Sequence, residues 1–283
     1  MKSPKNIVLL LFIFSILGPS ALAQKKVIKS QDDVPRFTYD IPSSASEVFS
    51  STKDMDQVVN QLESDYQSLL EEYDIQDKTL KKGILGTLKN IDLYHERYDE
   101  ALAKVEQIRG LQEKPSDKLL SGLSNMAYIK ALKQTNYQQN QEFYQLFAQN
   151  FSELINDLPW EVVQDEVEGT KGTLEIYSEN LALGLIKESI DPGVAKTGSI
   201  SDDNASTLVN MNYVVNHVLP VKDHMIKAYE AYIAANKVEK PDIWADRDVD
   251  LSNESNLEPV IIAIWDSGID VPIFENQVHV NPN

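Results

Sequence analysis

The sequence contains no cysteine. That excludes disulfides, a thiol nucleophile, cysteine-based zinc sites and lipid attachment through a cysteine. Positive charge is scarce: 26 Lys and Arg stand against 44 Asp and Glu, a formal net charge of −18. Nucleic-acid binding wants a basic face, and docking on anionic lipid wants one too, so neither is expected. Histidine occurs only four times, at His95, His217, His224 and His279. His217 and His224 fall two helical turns apart, but Pro220 between them would kink that face. No His-Glu-x-x-His stretch and no glycine-rich phosphate loop is present, so neither metal nor cofactor is implied.

One apolar run stands at the N-terminus. Lys2 and Lys5 precede Ile7–Leu17, Pro19 breaks it, and Ala21-Leu22-Ala23 supplies small residues before Gln24. This is the order of a secretory signal peptide over residues 1–23, and it is shorter than the ~20 apolar residues a span needs. Export is expected, to the periplasm or the medium, with no membrane attachment after cleavage. The hydrophobic fraction of 42% is enough for a packed core. The bland meaning of the acidity is a solvated surface.

Residues 24–50 read as a linker: Lys25, Lys26, Asp32, Asp33, Pro35, Pro42 and a serine-rich run give charge and turns without period. Helices are expected over residues 51–240. Met55, Val58, Val59, Leu62, Tyr66, Leu69, Leu70 and Tyr73 recur at spacings of three and four, with Ser51 as N-cap. Leu80–Leu93 and Tyr98–Ile108 read as a helical hairpin joined at His95-Glu96-Arg97 and closed by Gly110 and Pro115. Further helices are expected over 117–132, 140–158, 173–189, 202–219 and 221–236. The stretch Tyr98-Asp99-Glu100-Ala101-Leu102 resembles the second helix of a tetratricopeptide repeat, although no period of about 34 residues recurs. Repeats of that kind bind peptides, whereas a helical extension without a groove binds nothing. The segments around Trp160 and Trp244 are acidic and aromatic. Each reads as a docking surface or as ordinary tryptophan anchoring in a core. Asp246, Asp248 and Asp250 form a run that is either solvated or a calcium site.

The most informative stretch is Val260-Ile261-Ile262-Ala263-Ile264-Trp265-Asp266-Ser267-Gly268-Ile269-Asp270. Six apolar residues read as a strand buried on both faces, and Asp266 falls at its carboxyl end, where ligands bind in open α/β sheets. Gly268 permits a sharp turn. A buried strand closed by an Asx-type turn is the plain reading. The pattern resembles the segment around the catalytic aspartate of subtilisin-like serine proteases, over residues 259–283. The resemblance implies that Asp266 orients a histidine that takes the proton of a serine nucleophile. Val280-Asn281-Pro282-Asn283 resembles a stretch that follows this strand in long bacterial members. Val271-Pro272-Ile273-Phe274 stands where many members carry a His-Pro-Asp-Leu-like segment, which leaves any calcium ligand of that segment without a counterpart.

No serine follows Ser267, and His279, the one later histidine, has no His-Gly-Thr around it. Triads of this family run Asp, His, Ser along the chain. Residues 241–283 are therefore expected to be the truncated start of a catalytic domain in a larger protease. An aspartic-protease reading of Asp-Ser-Gly also stands, because such sites pair two carboxylates. Ile269-Asp270 after the glycine and the helical chain before it argue against that. The expected fold class is mainly α: a helical, degenerate tetratricopeptide-like region followed by the first buried strand of an incomplete α/β subtilase domain. By resemblance the protein is a secreted serine endopeptidase acting on protein or peptide substrates, inactive as this chain alone, with calcium admitted in the intact enzyme. The competing class is a non-enzymatic secreted helical binding or pro-region module.

Overall fold

A computed structural model describes residues 25–238 together with Asn256 and Glu258. The signal segment 1–23, the Trp244 segment and the strand ending at Asp266 lie outside the described residues. Residues 25–237 belong to one compact unit. It is mainly helical, as expected.

The long amphipathic stripe forms α2 (Thr52–Glu72), with Ser51 accepting from the Asp54 amide as its cap. Met55, Val58, Val59, Leu62, Tyr66 and Leu69 are all buried, the i, i+3, i+4 face that the spacing predicts. The hairpin forms as α3 (Lys78–Tyr94) and α4 (Tyr98–Leu111), which pack on one another. Asp77 caps α3 by accepting from the amides of Thr79 and Leu80. The turn between them is held by charge. Asp92, only 4% exposed at its side chain, accepts from Arg97 Nε at 2.9 Å and Lys104 Nζ at 2.5 Å. Arg97 also pairs with Glu63 of α2. A buried carboxylate between two cations ties three helices at one point.

Residues 24–50 are not a linker. Lys26–Ile28 forms β1, which pairs in parallel with β3 (Tyr73–Ile75). Thr38–Asp40 forms β2, antiparallel to β4 (Ser199–Ser201). Ala45–Ser50 forms α1, opened by a capping box between Ser44 and Glu47. Ile28, Tyr39, Ala45 and Val48 are buried in the same core as the α2 stripe. Short strands of three residues carry too little alternation to be read in sequence, and their partners lie far away along the chain.

The helix expected over 117–132 is two helices, α5 (Pro115–Leu120) and α6 (Leu123–Gln134). Gly122 separates them at φ 74°, in the left-handed region, and a Cβ there would lie 2.2 Å from Val105 Cγ1. Asn140 caps α7 (Gln141–Asn156) by accepting from the Phe143 amide. The chain from Trp160 to Ile176 is α8, and α9 (Glu179–Ser189) begins anew behind the Ser178 cap. The single helix expected at 173–189 is thus the end of one and the whole of another. Gly169, Gly172 and two threonines hide α8 by weakening its local propensity. Trp160 packs edge-on to Tyr232 with ring centroids 5.5 Å apart, in favour of the anchoring reading.

After α10 (Asp191–Thr197) and β4 come α11 (Asp202–Tyr213), a π turn (Val214–Val218), a 3₁₀ turn (Leu219–Val221) and α12 (Lys222–Asn236). Pro220 cannot donate to the ladder, and the wide and tight turns around it absorb the lost bond. Two large hydrophobic cores result. One gathers β1, β2, α1–α3 and α9–α11; the other gathers α6–α8 and α12.

Candidate functional site

Asp266, His279, Trp244 and the Asp246–Asp250 run all lie outside the described residues. Of the histidines, the structure brings together two that sequence reasoning left scattered. His95 ends α3, and His217 sits in the π turn. Both line a cavity of about 640 Å³, with Asp56 from α2, Tyr94 from α3 and Glu179 from α9. Nothing in their spacing announces this, because the meeting is made by packing α11 across α2 and α3. His224 instead stacks on Tyr144 in the second core's neighbourhood, at 6.0 Å between centroids.

The π turn inserts an extra residue into the helix path, and such bulges recur at functional sites. Here the turn holds the His217 ring between aromatic neighbours. Tyr213 stacks on it at 5.7 Å and Tyr128 leans on it at 5.4 Å. Burial pushes the His217 imidazole down to about 4, and the charge of Lys89 adds to the effect. The ring is therefore neutral at neutral pH. Its Nδ1 is buried with no hydrogen-bond partner among the described residues. The same holds for His95 Nε2, which lies 3.9 Å from Glu63 Oε2, beyond hydrogen-bond reach. Tyr94 donates to Asp56 Oδ1 at 2.7 Å, and burial followed by that carboxylate holds its phenol well above the usual range. Among the described residues no group of three or more His, Asp or Glu is placed to hold a metal ion.

A second concavity, of about 700 Å³, runs between α4, α6 and α7. Leu102, Met126, Ile129 and Leu154 give it apolar walls, and Lys130 and Lys133 stand on its rim. Both lysines are engaged, with Glu153 at 3.6 Å and Asp99 at 2.6 Å. No helix of the described residues is long and apolar enough to cross a membrane.

No protein family, curated protein or solved structure matches this chain.

Proposed function

We propose that this chain belongs to an exported subtilisin-like serine endopeptidase, with the helical unit as its N-terminal module and Asp266 as the acid of its triad. The observation that carries it is the apolar run Val260–Trp265 ending in Asp266-Ser267-Gly268. An aspartate at the carboxyl end of a buried strand is positioned to hold a histidine in one tautomer and to stabilise its protonated form. The histidine and serine have no counterpart after Asp266 in this sequence, so the proposal requires them elsewhere in the gene product. The helical unit closes at Lys237, ahead of the motif, as a separable module would.

The test is made on the full gene product. A serine-directed phosphonate should label it, and Asp266→Asn should cut turnover by about four orders of magnitude with little change in substrate binding. Asp270→Asn should matter far less. An unlabelled, inactive product would leave the proposal without support, and activity untouched by Asp266→Asn would remove the subtilase assignment.

A second reading has its own observation. The apolar groove between α4, α6 and α7 suits a non-enzymatic helical binding module. It predicts peptide capture by a gene product that resists phosphonate labelling.

A further inference from the structure

We propose that the abutting turns of the α3–α4 and α6–α7 pairs form a binding platform for a neutral saccharide, with the Tyr137 ring as its floor. The inference rests on neither reading of function above.

Among the described residues, a positive φ outside glycine occurs at Glu96 (57°), Asn136 (50°) and Tyr137 (63°). Glu96 lies in the turn between α3 and α4; Asn136 and Tyr137 lie in the turn between α6 and α7. The two turns touch. Tyr137 stacks on Tyr98 with ring centroids 5.6 Å apart and planes 19° from parallel, and Lys133 donates to Asp99 at 2.6 Å. Left-handed strain is thus gathered at one end of the helices, and such strain concentrates where function overrides local preference. Asparagine accepts this conformation at a helix end, whereas tyrosine gains nothing locally from it. What the strain secures is the ring. The Tyr137 amide donates to the Leu132 carbonyl at 2.7 Å, one ring face lies on Tyr98, and the residue is still 57% exposed.

The surroundings select the ligand. Thr135–Gln141 carries no charge and five side-chain amides, and Asn136 and Gln138 are exposed. An amide sets a donor beside an acceptor, the match for adjacent sugar hydroxyls, which both donate and accept. The C–H face of a pyranose carries the slight positive charge that the negative face of an aromatic ring attracts. Lys133 is neutralised by Asp99, while Glu96 forms no ion pair among the described residues. That free carboxylate accepts from hydroxyls and, with the net charge of −18, disfavours a polyanion. A proline-rich peptide would also lie on a tyrosine, but its prolines have no backbone donor for the acceptors around the ring.

The full chain is titrated by calorimetry with cellotetraose, chitotetraose, maltotetraose and mannotetraose, and with hexaproline as the competing occupant. One saccharide should saturate a single site, with an affinity that added salt leaves unchanged because no charges pair. Tyr137→Asn installs a residue that accepts the left-handed backbone and removes the ring. It should weaken binding at least about tenfold with helical circular dichroism intact. Tyr137→Phe keeps the face and should stay within about threefold of the parent. Gln138→Ala should weaken binding by about fivefold, the share of one hydrogen bond. The proposal is overturned if no saccharide saturates, if Tyr137→Asn binds as the parent does, if Tyr137→Phe loses as much as Tyr137→Asn, or if hexaproline binds more tightly than every saccharide.

Discussion

His217 shows how a single side chain reports its surroundings. Its folded pKa is pushed down to about 4, first by burial and then by Lys89. In an unfolded chain the imidazole titrates near ~6.5. Between those values the unfolded state binds the proton more readily, so the neutral ring's contribution is complete above pH ~6.5 and is lost as pH falls toward 4. Comparing pH 7.5 with pH 5, the loss should be roughly 2 kcal/mol. Urea midpoints of the wild type and His217→Phe at both pH values isolate this share, because the carboxylates titrate alike in both proteins. Parallel pH profiles would show that the ring is not held neutral. Gly122 is the second residue whose identity is dictated by its place. Its φ of 74° strains any other side chain, and a Cβ would collide with Val105 Cγ1. Gly122→Ala should cost about 2 kcal/mol or more and lower Tm by several degrees. Adding Val105→Ala should relieve the collision but not the strain, so calorimetry on the double variant should recover only part of the loss.

Among the elements, the short N-terminal strands carry more than their length suggests. Ile28 is 1% exposed and Tyr39 is 5% exposed, both within the first core. Tyr39 also donates to Asp65 of α2 at 2.9 Å, and Ser46 donates to Asp191 from both its hydroxyl and its amide. Ile28→Ala should destabilise by about 2–4 kcal/mol, as a buried aliphatic truncation does. Deleting residues 24–50 should reduce helical circular dichroism well beyond the share of α1, because α2 and α11 would lose the partners that cover their apolar faces. A true linker would come away with no such loss. Helical content that survives the deletion would show these strands to be ornaments.

At the scale of the molecule, the chain visits its two cores by turns. It builds the first through α3, leaves for the second through α8, returns for α9 to α11, and ends in the second with α12. Such interleaving makes neither core a separable piece of sequence, so residues 25–238 should unfold in one transition. Hydrogen exchange should show α2 and α7 protected to similar free energies, and a clear step between them would argue for two foldons. Deleting residues 257–283 should leave helical circular dichroism unchanged and improve solubility, since the Val260–Trp265 run has the composition of an aggregation-prone strand. A fall in helicity on that deletion would show that the run supports the helices.

The helical class, the α2 stripe, the α3–α4 hairpin and the cap at Ser51 were legible because each depends on residues within a few turns of one another. A periodic apolar face and a nearby hydrogen-bond acceptor are local facts, written at fixed spacing. The strands of residues 24–50, the break at Gly122 and the start of α8 were not. A three-residue strand is stabilised by a distant partner, a left-handed glycine by the helix it must clear, and a glycine-rich helix by the core it covers. The cavity between His95 and His217 belongs to this second class. No local rule relates the end of α3 to a π turn beyond α11, and only the packing of α11 across α2 and α3 brings two half-buried histidines to the lining of one cavity.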